Sequence, residues 1–207
     1  GCHRYRTGGC SYCIEPLKGK PLMRSPEDIL AEAKILRELG VHNIRMGGQT
    51  CIVSYGSEDA NDPPKPNPDA VLALFNGLKE LGFDTIHVDN ANPAVIATYP
   101  EESRRILECI ADCCTAGNVL ALGMESADIN VITSNNLNST PDQVLTAIRT
   151  INEIGAERGE NGMPKLLPGL NLIAGLDGET AGTYTQNMEF LQNLLDEGLL
   201  IRRINIR

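Results

Sequence analysis

The sequence lacks the features that mark a membrane or a secreted protein. No apolar run approaches the roughly 18 residues of a membrane span, and no signal peptide opens the chain. Basic residues are also few: 18 Lys and Arg stand against 27 Asp and Glu, a formal net charge of −9. Such a charge argues against a surface that grips nucleic acid throughout. We therefore expect a cytoplasmic protein without membrane contacts, and nucleic-acid binding through a local basic site or through regions outside these residues.

The cysteine count does not fit a disulfide framework. The chain has seven cysteines, an odd number, and three of them fall within the first 13 residues. Clustered thiols in a chain that otherwise reads as cytosolic more often bind metal or carry out redox chemistry. The other four, including Cys51 and the i, i+4 pair Cys109 and Cys113, are expected to pack in the core by default, with a second metal site as the alternative.

The length of 207 residues fits one globular domain, here residues 1–207. Hydrophobic residues make up 42% and charged residues 22%, and no linker or low-complexity run divides the chain. The chain begins inside a Gly-rich loop that has no strand before it, and it stops inside a segment typical of a strand. We therefore expect a fragment of a longer protein.

A repeated pattern predicts five helices, each followed by a strand. The helices begin at a capping residue or proline and end near a glycine; they are expected at residues 25–40, 67–82, 100–117, 140–159 and 180–198. Short apolar segments follow at residues 41–46, 83–89, 118–124, 169–175 and 199–206. The alternation indicates an α/β fold with a parallel sheet, either a barrel or an open doubly wound sheet. In both, chemistry belongs in loops after the carboxyl ends of the strands.

The opening loop spaces its cysteines as C-x7-C-x2-C, at Cys2, Cys10 and Cys13. Three thiolates on one loop can ligate three irons of a [4Fe–4S] cluster and leave the fourth iron open. The alternative is zinc held by the same cysteines and His3. A zinc module usually brings a second ligand pair at a distance, and none follows in this sequence. The spacing therefore favours iron and sulfur.

The loop resembles that of the radical S-adenosylmethionine (radical SAM) enzymes, which place C-x-aromatic-C at the start of a series of βα units. The aromatic is Tyr12 here, and in the family it lies against the adenine of the cofactor. The usual family spacing is C-x3-C-x2-C, so this chain has four extra residues between Cys2 and Cys10.

Three further segments resemble family motifs in the expected order. Gly47-Gly48-Gln49 follows the first strand predicted here, where the family has Gly-Gly-Glu that accepts hydrogen bonds from the cofactor's amino group. An amide can also accept such a bond. Glu125 and Ser126 match a segment near the ribose and methionine of the cofactor, and Ile173 and Gly175 match one beside the adenine. Taken alone, the first is also typical of a Gly-rich turn and the second of a helix cap.

The resemblance implies a partial (β/α)6 TIM-like barrel that lacks its first strand. It further implies a [4Fe–4S] cluster, S-adenosylmethionine and an external electron donor of the ferredoxin or flavodoxin type, and an oxidoreductase or transferase reaction. The expected reaction is reductive cleavage to a 5′-deoxyadenosyl radical that takes hydrogen from an unidentified substrate, in RNA or cofactor modification. The branches most similar in pattern are uncharacterised archaeal proteins, methylthiotransferases and coproporphyrinogen dehydrogenases. The rival function is a zinc or iron–sulfur domain with a structural or electron-transfer role.

Three polar residues end the second predicted strand and are the substrate candidates. His87, Asp89 and Asn90 are expected to point into the mouth of the barrel, although Asp89 and Asn90 suit a loop cap equally well. Arg4 and Arg6 flank the cysteine loop, where they would meet a carboxylate or phosphate or remain as solvated surface charge.

Overall fold

A computed structural model describes residues 1–207, and seven α-helices surround six parallel strands. Three short 3-10 turns precede or interrupt this series, at His3–Arg6, Glu15–Lys18 and Ile52–Ser54. None of the helices has both the length and the apolar character that crossing a membrane requires. In chain order the elements are α1 Pro26–Glu38, β1 Asn43–Met46, α2 Pro68–Glu80, β2 Thr85–Val88, β3 Asn90–Ala91, α3 Pro93–Thr98, α4 Pro100–Cys113, β4 Asn118–Glu125, α5 Ile129–Ser134, α6 Pro141–Gly155, β5 Leu166–Leu172, α7 Ala181–Asp196 and β6 Arg203–Ile206.

The strand order follows the chain order without reversal. β1 pairs with β2, and β3, β4, β5 and β6 form a second sheet in that order. Unreversed right-handed crossovers place every helix on the same side of the strands, which is the winding of a barrel and not of a doubly wound sheet. β1 and β6 remain edges, so the strands form a partial barrel. The prediction of an α/β fold with a partial parallel barrel is confirmed.

The two sheets meet through side chains where the backbone ladder is broken. Thr115 Oγ1 accepts a hydrogen bond of 3.0 Å from the Ile86 N–H, and Asn118 Oδ1 accepts one of 2.9 Å from the Val88 N–H. Asp89 separates β2 from β3, and its carbonyl accepts from the Ala121 N–H at 2.8 Å. The predicted single strand at 83–89 is therefore shorter and interrupted.

Other element boundaries also differ from the prediction. The five predicted helices are present, but α3, α5 and β3 were not predicted. β5 begins at Leu166, three residues earlier than expected, and ends before Gly175; β6 begins at Arg203 and not at residue 199.

The core lies between the outer face of the strands and the helices. Along β4, Leu120 and Leu122 are fully buried against the helices, while the alternate residues face the barrel interior. Those interior positions hold small residues such as Ala121 and Gly123. A Cβ atom on Gly169 of β5 would lie 3.0 Å from Val119, which places it on the same inner face. Small side chains on this face leave space inside the barrel.

Replacing Leu120 by Ala is expected to lower the free energy of unfolding by about 2–5 kcal/mol, because the fully buried side chain would leave a cavity beneath the central strand. Chemical denaturation measures the loss. The matched control is Leu22→Ala: Leu22 is 96% exposed, so its truncation should change stability by less than about 0.5 kcal/mol. Equal effects of the two changes would contradict the assigned core.

Candidate cofactor and substrate site

A cavity of about 870 Å³, called the main cavity below, opens at the carboxyl ends of the strands. The cysteine loop forms one wall, and loops after β1 and β2 together with the ends of β4 and β5 form the others. The volume is that of a typical cofactor or small-ligand site. The cavity lies where a parallel barrel is expected to carry its chemistry.

The three cysteines of the opening loop all line this cavity and carry free thiols. The loop is ordered locally: the Cys2 N–H donates to the Gly19 carbonyl at 3.2 Å, and the Cys13 N–H donates to the Cys10 carbonyl at 3.0 Å. Burial raises the pKa of Cys2 and of Cys10, and the neighbouring Cys13 sulfur raises both further. The Arg4 guanidinium opposes these effects at both sulfurs, so Cys2 and Cys10 have a cation beside them before any metal binds.

The donors on the cavity wall bear on both metal alternatives. Zinc needs four ligands at about 2.0–2.3 Å around a single centre. The cysteines of a cubane each bind a different iron. Three free thiols that share one cavity match the three protein ligands of such a cluster. His3 lines the same cavity and its buried Nε2 has no hydrogen-bond partner, so zinc bound by the cysteines and His3 is the alternative that the metal analysis below tests.

Two consecutive asparagines after α5 hold the cysteine loop in place. Asn136 Nδ2 donates to the carbonyls of Thr7 at 2.9 Å and Gly9 at 2.7 Å. The Asn135 carbonyl accepts from the Ser11 N–H at 2.9 Å, and Asn135 Oδ1 accepts from the Ser11 hydroxyl at 2.7 Å. Asn136 adopts a φ of 48°, a left-handed conformation that asparagine tolerates. The loop is therefore fixed to the barrel independently of its cysteines.

Gln49 presents an unused acceptor to the cavity. Its Nε2 lies 3.5 Å from the Met46 carbonyl, while its Oε1 is buried and has no hydrogen-bond partner. Gly48, which precedes it on the cavity wall, has a φ of 77° and allows the chain to turn after β1. A buried acceptor without a partner is costly unless a ligand donates to it. Gln49 thus fits the amino-group contact expected at this position.

Glu125 ends β4 in a strained conformation at the cavity wall. Its φ is 66°, and the register of β4 against β5 shifts between Gly123 and Glu125. The carboxyl group lines the cavity beside Tyr12, on the same face of β4 as Ala121 and Gly123. Burial raises the pKa of Glu125, and it also raises the pKa of Tyr12, which the Glu125 carboxylate raises further. Non-glycine residues held in such conformations concentrate at functional sites.

Glu125→Gln is expected to stabilise the protein at neutral pH. The pKa of Glu125 is near 4.5 in the unfolded chain and is higher in the folded state, which therefore binds the proton more tightly. Proton binding thus stabilises the folded state at low pH, and this contribution is lost as the pH rises through the raised pKa. The amide carries no ionisation penalty. Denaturant unfolding at pH 4.5 and pH 8 should show that the free energy of unfolding of the variant exceeds that of the original chain by more at pH 8 than at pH 4.5. A gain that is equal at both pH values would contradict a buried carboxylate.

The comparison with known families decides the class of this site. The family model described as the Radical SAM superfamily matches residues 1–191. The chain belongs to the radical SAM superfamily. The motifs in the opening loop and after β1, β4 and β5 fall within the matched residues.

Archaeal and bacterial proteins resemble this radical SAM chain over most of its length. An uncharacterised protein of Methanocaldococcus jannaschii is 48% identical and one of Archaeoglobus fulgidus is 43% identical, each over all of this chain. A tRNA-2-methylthio-N(6)-dimethylallyladenosine synthase of Pelobacter propionicus is 25% identical over 94% of it. The chain spans 39% of the length of each of these relatives. The predicted likeness to archaeal proteins and methylthiotransferases is confirmed.

Among solved structures, coproporphyrinogen III oxidase of Escherichia coli, a radical SAM enzyme, has a similar fold. Its TM-score is 0.57 at 16% identity, over 99% of this chain and 41% of that one. At this identity the likeness concerns the fold alone. It agrees with the unreversed strand order and the partial barrel described above.

Several predicted site residues of the radical SAM chain lie outside the cavity. Ser126 is fully buried and its hydroxyl accepts from the Asp128 N–H at 3.2 Å, so it stabilises the turn before α5. Ile173 packs against a small apolar cluster that also contacts Cys10. The Gly175 N–H donates to Glu179 Oε2 at 2.8 Å and shapes the turn after β5. Gly47 lies next to the Asp89 side chain and not on the cavity wall.

The substrate candidates are divided between two places. Asn90 lines the main cavity. His87 lies instead in a separate cavity of about 300 Å³ with Arg45, its register partner in β1, nearer the amino ends of the strands. Asp89 forms an ion pair with Arg45. The expectation that His87 points into the mouth is therefore wrong for this structure.

The remaining cysteines were expected to pack in the core: Cys51, Cys113 and Cys114 are buried, and Cys109 is partly buried. Cys51 is buried on the cavity wall, where its sulfur accepts from the Asn92 N–H at 3.2 Å. The Cys109 and Cys113 sulfurs lie 3.9 Å apart between helices, and Cys113 also contacts Asn76. The Cys109 and Cys113 thiols are free, and they lie outside the main cavity.

Two cavity residues were missed by the sequence reading. Asn171 lies on the inner face of β5 and Arg207 follows β6, and both line the main cavity. Asn171 was visible as a polar residue within an otherwise apolar predicted strand. That pattern is typical of a side chain that faces a site.

Proposed function

We propose that this chain is the catalytic core of an enzyme that binds a [4Fe–4S] cluster through Cys2, Cys10 and Cys13 and reductively cleaves S-adenosylmethionine. The observation that carries the proposal is the shared cavity: three free thiols and the unpartnered acceptor of Gln49 meet in one space of cofactor size. Family membership supplies the reaction class, and these residues supply the places where it would occur.

When bound, the cluster and S-adenosylmethionine together supply a 5′-deoxyadenosyl radical, formed with one electron from an external ferredoxin- or flavodoxin-type donor, that abstracts hydrogen from the substrate. The chain supplies placement. The cysteine loop, fixed by Asn135 and Asn136, holds the three thiolates on one wall before any ligand arrives. A site arranged in advance loses less entropy on binding.

The other cavity residues orient the cofactor. Gln49 Oε1, which is buried and has no hydrogen-bond partner, would accept a hydrogen bond from the amino group of the cofactor. Tyr12 offers an aromatic face beside the adenine, and Glu125 with Asn171 offers oxygens to the ribose hydroxyls. Asn90 lies on the same wall and is the substrate contact that we retain. These contacts hold the reacting groups together and exclude water.

RNA is the substrate class that we propose, ahead of a cofactor precursor. The support is the resemblance over 94% of this chain to a protein named for a modified tRNA nucleoside. Transfer RNA from the source cell should then increase the rate of 5′-deoxyadenosine formation. Stimulation by tetrapyrrole or other cofactor precursors instead would favour the second class.

The test of the proposed reaction uses the complete protein, reconstituted with iron and sulfide under anaerobic conditions. After reduction with dithionite and addition of S-adenosylmethionine, we expect 5′-deoxyadenosine and methionine in equal amounts. A brown protein that leaves S-adenosylmethionine intact would indicate an electron-transfer role. A colourless protein that retains zinc would indicate a structural metal site. Either result would overturn the proposal.

A further inference from the structure

One arginine lies within the extended interval of the cysteine loop and is buried there. Arg4 belongs to the 3-10 turn His3–Arg6, between the first and second cysteines, and is 9% exposed. Buried arginine is rare unless its charge and its donors are satisfied. The four extra residues of this interval give the loop room for such a turn.

The Arg4 guanidinium connects three separate segments. Its Nε donates to Asp62 Oδ2 at 3.0 Å, in the loop before α2. One terminal nitrogen donates to the Asn136 carbonyl at 2.7 Å and the other to Asn136 Oδ1 at 2.9 Å. The first of these nitrogens also donates to the Cys10 sulfur at 3.3 Å. Lysine, a single point charge, could not make this set of bonds.

We propose that Arg4 is a positioning residue that also sets the reduction potential of the cluster through its bond to the Cys10 sulfur. This inference rests on the proposed function, because it requires the cluster to be bound by Cys10. A positive donor on a ligand sulfur stabilises the additional electron of the reduced state. Asp62 opposes this effect, since its carboxylate contacts the same guanidinium from the far side.

The two charges therefore predict opposite shifts. Removing Arg4 lowers the midpoint potential of the cluster, and removing the charge of Asp62 raises it. A residue that merely fills space in the loop would not produce this pair of signs. Opposite shifts would therefore show that the charges of Arg4 and Asp62 act on the potential, and not merely the fold of the loop.

The experiment compares Arg4→Met, Asp62→Asn and the control Arg6→Met in the complete, anaerobically reconstituted protein. Arg6 lies in the same turn but is exposed and stacks over the Tyr5 ring, with 5.3 Å from its guanidinium carbon to the ring centre. Iron content measures cluster retention, and a redox titration followed by electron paramagnetic resonance (EPR) measures the midpoint potential. We expect a more negative potential for Arg4→Met, a less negative one for Asp62→Asn and no change for Arg6→Met.

Asp62→Asn keeps an oxygen acceptor for Arg4 and Thr7, so it tests the inference even where Arg4→Met loses the cluster. Retained clusters with unchanged potentials, or Arg4 and Asp62 variants that shift in the same direction, would overturn the role of Arg4 while leaving the proposed function intact. Failure of the unaltered protein to bind any cluster would overturn both.

Discussion

Cys10→Ala in the complete protein is expected to abolish cluster binding and with it the formation of 5′-deoxyadenosine. The bound iron and sulfide should fall from about four atoms of each per chain to a small fraction of that content, because a cubane with only two protein ligands is held weakly. Cys10 is also the sulfur to which Arg4 donates, so its loss removes one of the two hydrogen bonds of that Arg4 nitrogen and leaves only the bond to the Asn136 carbonyl. Iron and sulfide analysis, with the visible absorption near the cluster band, provides the measurement.

The matched control is Cys109→Ala, which removes a thiol from helix α4, away from the cavity. This variant should retain the cluster and the activity of the unaltered protein. If Cys10→Ala kept its iron while Cys109→Ala lost it, the ligand assignment would be wrong. Parallel changes at Cys2 and Cys13 should reproduce the loss.

Gly9→Ala is expected to prevent cluster assembly although every cysteine remains. Gly9 has a φ of 66°, and a Cβ atom there would lie 2.0 Å from Pro16 Cγ. Pro16 is buried in the turn Glu15–Lys18, which begins two residues after Cys13, so accommodating the methyl group requires a shift of this turn or of the cysteine loop. The side chain would therefore strain the conformation and collide with its neighbour. We expect iron incorporation near that of Cys10→Ala, measured under identical reconstitution conditions.

Gly8→Ala isolates the steric part of this prediction. Gly8 has a φ of 84°, so alanine there carries a similar conformational cost, but its Cβ would meet only Asn136 Nδ2 at 4.0 Å. This variant should retain substantially more cluster than Gly9→Ala. Equal loss in both would show that backbone strain, and not contact with Pro16, governs the loop.

The helices were predictable because their signals are local. Ser25, Asn67 and Thr140 accept hydrogen bonds from the first helical turn, each followed by proline, as their sequence spacing indicates. The cysteine loop was likewise predictable, since its three cysteines lie close together in the chain. The loop also contains its own glycines. Local chemistry was therefore sufficient for both.

The parts that sequence reading missed depend on distant side chains. The break at Asp89 exists because Thr115 and Asn118 replace backbone partners across the gap. His87, which precedes the break, lines the smaller cavity with its β1 partner Arg45, whereas Asn90, which follows the break, lines the main cavity. No periodicity in residues 83–90 carries this information.

The burial of Arg4 has the same origin. Its partners Asp62 and Asn136 are 58 and 132 residues away in the sequence, so an arginine that reads as surface charge becomes the centre of the loop. The match of Glu125 and Ser126 to a family segment likewise did not indicate which of the two side chains would face the cavity. Glu125 does so, on the same inner face of β4 as Ala121 and Gly123.

The central claim is that three cysteines hold a cluster whose remaining iron is open to S-adenosylmethionine. The most direct measurement is the EPR spectrum of the reduced, reconstituted complete protein with and without S-adenosylmethionine. Binding to an open iron predicts a clear change in the signal, and the Gln49→Ala variant should require more S-adenosylmethionine to reach it. A reduced-cluster spectrum that is identical with and without S-adenosylmethionine would contradict the account.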